Sequence, residues 1–211
     1  MKILPIAGLV ALFGFSGAAS ASSLPLNQSQ PSRSSIEEQR IGAWDLLVKR
    51  LQSVSESERI EEVNNFFNSL TFRSDRAAWG KEDYWASPSE FLNRGIGDCE
   101  DYAIAKYITL RRLGVSDDRL RLAYVRSLTL RQAHMVLIVE KNNGEQIVLD
   151  NLTDNMKAPE TRKDLEPVYS FNGTGLWLLE RGYEERRIGD ASRLTHWVAL
   201  QQKTRNNEIW P

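Results

Sequence analysis

The stretch from Cys99 to Leu113 sets the strongest limit on the fold. Its apolar residues Ala103, Ile104, Ala105, Tyr107, Ile108, Leu110 and Leu113 cover most of a helical circumference, and Gly114 follows as a C-terminal cap. A helix apolar on nearly every side cannot decorate a surface; it has to be central, with the rest of the chain packed around it. Six tryptophans and a hydrophobic fraction of 41% are enough to do so in a chain of 211 residues.

The flanking segments differ in texture. Upstream, Ser35 with Glu38 forms a capping box ahead of the stripe Ile36, Ile41, Trp44, Leu47 and Leu51. Ser55 with Glu58 repeats the device ahead of Ile60, Val63, Phe67 and Leu70. Ser87-Pro88-Ser89-Glu90 places Ser at the N-cap, Pro at the first helical position and Glu at the third, and Gly95 and Gly97 keep that helix short. Downstream of Gly114 come short β-rich runs at 122–125, 135–139, 147–149, 168–171, 176–179 and 197–200. Asn142-Asn143-Gly144 and Asn172-Gly173-Thr174-Gly175 are hairpin connections, which make the strands they join antiparallel. Helices first and strands later predict an α+β domain with the cysteine-bearing helix on an antiparallel sheet. No internal repeat is present.

The N-terminus reads as a targeting segment. Lys2, the apolar stretch from Ile3 to Phe15 and the small-residue site Ala19-Ser20-Ala21 describe a secretory signal peptide over residues 1–21, with the mature chain starting at Ser22. The apolar stretch is short of the roughly 20 residues a spanning helix needs. No cysteine lies near the cleavage site to carry a lipid. Residues 22–34, rich in Ser, Gln, Asn and Pro, read as a disordered leader, and residues 35–211 have the length of one domain. The expected location is the periplasm, with no membrane insertion after signal cleavage. With 27 Lys and Arg against 28 Asp and Glu, the net charge of −1 argues against nucleic acid or an anionic membrane as partner.

Cys99 is the only cysteine, so it cannot form an intramolecular disulfide and enters an oxidising compartment as a free thiol. It sits where a glycine-rich turn becomes a helix. There the unpaired N–H groups and the positive end of the helix dipole favour a thiolate and can donate to an oxyanion. His134 opens the apolar run 134–139, and Asp150 ends the run 146–150, joined to it by the Asn142-Asn143-Gly144 hairpin. Cys99, His134 and Asp150 are thus candidates for nucleophile, base and orienting acid of a thiol acyl-transfer site. His196, the other histidine, is the rival base. Each residue alone has an ordinary reading: a buried inert thiol, a sheet histidine, a turn aspartate.

Asp98, Glu100 and Asp101 crowd Cys99 with negative charge, which disfavours a thiolate. They can act as helix caps. They can also hold a hard divalent cation, for which oxygen-only ligands suit Ca²⁺, with Asp83 as a further candidate. Trp79 and Trp85 precede the turn and are read as core, or as a wall or indole N–H donor for the thiol site.

The strings 83–88, Asp-Tyr-Trp-Ala-Ser-Pro, and 97–107, from Gly97-Asp98-Cys99-Glu100-Asp101-Tyr102 to Tyr107, resemble the bacterial transglutaminase-like cysteine proteinases. The resemblance covers nearly the whole expected mature domain and implies a papain-like or transglutaminase-like fold, with Cys99, His134 and Asp150 as its triad. It further implies a calcium-dependent endopeptidase that cuts the N-terminal region of a large surface adhesin at a paired-alanine site, dispersing biofilm. An inner-membrane receptor for cyclic di-GMP would restrain it through its periplasmic domain. Asp98 and Glu100, with Asp101, fall on the positions the resemblance assigns to calcium. Transamidation on the same acyl-enzyme is one alternative; a non-catalytic domain that binds a membrane receptor is another.

Overall fold

The computed structural model describes residues 33–180 and 183–206, so the expected signal peptide and residues 22–32 of the leader lie outside the described residues. Among the described residues, four helices precede the central one: α1 (Arg33–Leu51), α2 (Glu56–Asn68), the single turn α3 (Asp75–Ala78) and α4 (Pro88–Arg94). The central helix is α5 (Cys99–Arg112). Two-residue strands β1 (Thr71–Phe72) and β2 (Ile96–Gly97) pair in parallel just before it. Seven further strands follow: β3 (Leu120–Ser127), β4 (Gln132–Glu140), β5 (Gln146–Asp150), β6 (Thr153–Lys157), β7 (Leu165–Phe171), β8 (Gly175–Leu179) and β9 (Glu185–Asp190). The last helix is α6 (Thr195–Asn206). The large sheet has the order β6-β5-β4-β3-β7-β8-β9, with every neighbouring pair antiparallel.

Local chemistry explains most boundaries. Ser55 accepts the Glu58 N–H at the start of α2. At α4 the full capping box forms: Ser87 Oγ accepts from Glu90 N, Glu90 Oε2 accepts from Ser87 N, and Pro88 occupies the first turn. Gly95 ends α4 with φ 71°, a left-handed position that glycine adopts without a steric penalty. The end of α5 is a Schellman motif, in which Val115 N donates to Leu110 O and Gly114 N to Arg111 O, both at 3.0 Å, with Gly114 at φ 87°. The Asn142-Asn143-Gly144 and Asn172–Gly175 connections join antiparallel strands, as expected.

The expected central burial of α5 is observed: Tyr102, Ala103, Ile104, Ala105, Tyr107, Ile108 and Leu110 are all buried. They share one core with Leu51, Ile60, Val63 and Phe67 of the first two helices and with Leu122, Leu137, Val139, Ile147 and Leu149 of the sheet. Alternate strand residues Ala123, Val125, Val136, Ile138 and Val148 form a separate apolar cluster with Leu165 and Leu179. The middle of the sheet is therefore apolar on both faces, which is why 135–139 reads as an unbroken hydrophobic run and not as an alternating one. Among the described residues no helix is long and apolar enough to cross a membrane.

Several expectations need correction. The run 197–200 is helical, not a strand: Trp197, Leu200 and Thr204 are buried at helical spacing, and four apolar residues alone do not separate the two periods. α1 begins at Arg33, so Ser35 lies inside the helix and is not its N-cap. β6 and β9 were not foreseen. Their residues are mostly polar and exposed, because they are the outermost strands of the sheet and have little apolar surface to bury.

A prediction follows from the burial of α5. Ile104→Ala, at 0% exposure, should cost about 2–5 kcal/mol in a denaturant titration, whereas Leu46→Ala, at 68% exposure on α1, should stay within about 0.5 kcal/mol. Equal midpoints for the two variants would contradict the central placement of α5.

Candidate active site

Cys99 occupies the first position of α5, with Asp98 as N-cap. The turn before it is shaped by Gly97, where a Cβ would collide with Asp101 Oδ2 and lie 2.8 Å from Phe91 Cε2. Asp101, three residues on from Asp98, is fully buried. It accepts from Ala86 N at 2.8 Å and from Trp79 Nε1 and Asp98 N at 3.3 Å each. Trp79 thus donates its indole N–H to an acid, while Trp85 stacks on Phe171 at 5.6 Å and lines a cavity.

That cavity, about 640 Å³, contains Cys99 and His134 in its wall. Tyr124 and Tyr169, stacked 5.0 Å apart, form an apolar stretch of the same wall. On β4, His134 lies opposite Val125 of β3 and is 3% exposed. Its Nε2 is 2.8 Å from Asp150 Oδ1 at the end of β5, which leaves Nδ1 as the ring nitrogen without this partner. The structure brings Cys99 and His134 to one cavity and Asp150 to the far side of the imidazole. This is the arrangement in which an acid fixes the tautomer of a base that serves a nucleophile.

Asp150 is 1% exposed yet fully satisfied. Besides His134, its Oδ1 accepts from Leu152 N at 3.0 Å and its Oδ2 from Arg162 Nη2 at 2.8 Å, while its carbonyl accepts from Asn68 Nδ2 at 3.0 Å. Burial acts to raise its pKa. The hydrogen bond and charge of His134, the Leu152 N–H and Arg162 outweigh that and hold it at about 2. Arg162 was not anticipated. It belongs to no motif in the sequence and reaches Asp150 only because a turn at 159–161 brings it there.

The other side of the thiol is unbalanced. Asp75, Asp98 and Asp101 place carboxylate oxygens within 4.8 Å of one another, as do Asp75, Asp83 and Glu100, and Asp98 and Glu100 form a third such set with Cys99 Sγ. Burial and mutual repulsion push Asp75 up to about 6, Asp101 to about 8 and Glu100 to about 9, and Asp98 also upward. Cys99 Sγ donates to Glu100 Oε2 at 3.1 Å. Burial, followed by the charge of Glu100, lifts the thiol well above its usual range, against a hydrogen bond with the Met135 backbone. Asp75 Oδ1 and Asp98 Oδ1 are buried without a hydrogen-bond partner. Acidic oxygens that repel one another, two of them orphaned, are the donor set a hard cation requires. Asp75 was missed because it lies 23 residues before Asp98, joined to it only through the bond from Asp75 N to Asp98 Oδ2 at 3.2 Å.

His196 also lines the cavity, from the start of α6. Its Nδ1 pairs with Asp83 Oδ2 at 3.1 Å, both side chains being about half exposed, and its ring meets Trp85 edge-on at 5.7 Å. The buried, acid-oriented histidine is His134.

The model of one family, the bacterial transglutaminase-like cysteine proteinases, matches residues 42–164, more than half of the chain. Among solved structures, calcium-bound LapG from Legionella pneumophila is 40% identical, with a TM-score of 0.70 over 84% of this chain and 94% of that one. The EGTA-treated form of the same protein is 39% identical, with a TM-score of 0.69 over 82% and 97%. No match was found among curated proteins. The likeness covers both the helical half and the sheet, and on these findings the chain belongs to the bacterial transglutaminase-like cysteine proteinases.

Proposed function

We propose that this proteinase is a calcium-dependent endopeptidase of the periplasm that cuts the N-terminal region of a large surface adhesin at a paired-alanine site, releasing the adhesin and dispersing biofilm. The observation that carries the reading is a thiol at a helix start and an acid-oriented imidazole in the wall of one cavity. Resemblance supplies the adhesin, and also the regulator, a periplasmic domain of an inner-membrane cyclic di-GMP receptor.

In the proposed reaction the Cys99 thiolate attacks the scissile carbonyl, with the N–H of Cys99 among the oxyanion donors. His134, having taken the thiol proton, returns it to the leaving amine, and Asp150 steadies the imidazolium. Water then hydrolyses the acyl-enzyme. Asp98 and Glu100, with Asp101 and Asp75 beside them, would hold Ca²⁺, and the calcium-bound LapG structure supports that choice of ion. Bound there, the ion would offset the negative charge that now opposes a thiolate.

The decisive assay incubates the purified chain with N-terminal fragments of large adhesins from the same genome. A single cut is expected with the wild type and none with Cys99→Ala or His134→Ala, at unchanged far-UV circular dichroism. Asp150→Asn should retain weak activity, lower by roughly 10²- to 10⁴-fold, because orientation and not the nucleophile is lost. Full activity in His134→Ala would move the base to His196. Product mass separates hydrolysis from transamidation.

Calcium is tested through stability. In chelator the raised carboxylates bind more protons folded than unfolded, so stability should fall as pH rises from about 4 to about 9. Saturating Ca²⁺ should raise Tm and flatten that slope, Mg²⁺ should do so poorly, and Asp98→Ala or Glu100→Ala should remove most of the effect. A chelated sample that cuts at the native rate would refute the metal requirement.

Export is tested by mass spectrometry of the periplasmic protein, which should begin at Ser22. Recovery of only a cytoplasmic chain retaining Met1 would refute it.

A further inference from the structure

We propose that Arg162 is a positioning residue for the Cys99, His134 and Asp150 site, holding the Asp150 carboxylate in the orientation that meets the imidazole. The proposal rests on reading that site as a thiol peptidase. A carboxylate is planar, so fixing one oxygen fixes the direction of the other. Arg162 Nη2 holds Oδ2 at 2.8 Å, and Oδ1 then faces His134 Nε2 at 2.8 Å.

Arg162 is itself rigidly held. Its side chain is 6% exposed, and Asp164 grips it as a fork, Oδ1 to Nε at 2.9 Å and Oδ2 to Nη2 at 2.7 Å. Its backbone N–H closes the turn at 159–161 by donating to Pro159 O at 3.0 Å. The other charged groups near Asp150 act less directly. Lys106 of α5, buried beneath it, bonds Asn68 Oδ1 at 2.6 Å, and Asn68 in turn donates to the Asp150 carbonyl and to Asp154 Oδ1 on β6. Lys106 therefore feels the charge of Asp150 while its hydrogen bond goes to Asn68. Among the described residues, Arg162 and His134 make the ion pairs to Asp150, and of these Arg162 is charged at every working pH.

The experiment measures the alkylation rate of Cys99 by iodoacetamide from pH 4 to 8, at saturating Ca²⁺, with thermal unfolding alongside. Alkylation needs no peptide, so the comparison holds whatever the enzyme cuts. In Arg162→Gln the acidic limb should move up by about one pH unit, because a loosened Asp150 no longer holds the imidazole where its cation stabilises the thiolate. Arg162→Lys keeps the charge and should retain the wild-type limb. Asp164→Asn, which loosens the fork, should shift it less and in the same direction. If Arg162→Gln folds and its limb superimposes on the wild type, or if Arg162→Lys is displaced equally, the assignment is wrong. Should Arg162→Gln fail to fold, Asp164→Asn decides, and an unmoved limb overturns the proposal. A wild-type thiol with no acidic limb would overturn the peptidase reading and this role with it; a wild-type limb unmoved in the variants overturns the role alone.

Discussion

The carboxylate of Asp101 ties together the segments that make the site. By accepting from Ala86, Trp79 and Asp98 it joins the stretch after α3, the indole and the start of α5, with its own carboxylate fully buried. The Ala86 N–H would otherwise be buried without a partner, at a cost of about 1–3 kcal/mol. The position of Cys99 follows from this arrangement, because Asp101 and Gly97 fix the direction in which the helix begins. The apolar flanks of α5 hold the helix itself in the core.

Around this anchor the same chemical group behaves in two opposite ways. Asp150 is as buried as Asp101, yet it is held at about 2 because a cation, an imidazole and a backbone N–H meet its two oxygens. Asp75, Glu100 and Asp101 are driven up because burial and like charges outweigh the neutral N–H groups that Asp75 and Asp101 accept from. Partners, not residue type, decide the charge state. One side of the site keeps an anion paired with the His134 imidazole, and the other crowds carboxyl groups against one another.

Much of this was legible one residue at a time. The capping box at Ser87, the glycines at 95 and 114 and the two Asn/Gly hairpins are short-range signals, and each specifies its own backbone. The order of Cys99, His134 and Asp150 could be read because hairpin geometry places β4 and β5 side by side. The run 197–200 was misread because four apolar residues suit either a strand or a helix, and only packing of Trp197 against Tyr107 and Phe171 decides it. The polar strands β6 and β9 gave no hydrophobic period to detect.

The sequence by itself determined that a thiol would stand at the start of a buried helix, with a histidine and an aspartate on successive strands. Local propensity and periodicity suffice for that, since they act over a few residues. Only the tertiary structure decided that Arg162 would meet Asp150, that Asp75 would join Asp98, and that Trp79 would serve an acid while Trp85 faced the cavity. Those contacts span 12 to 23 residues of chain. Their energy comes from satisfying buried charges and hydrogen bonds that exist only once the core has closed around them.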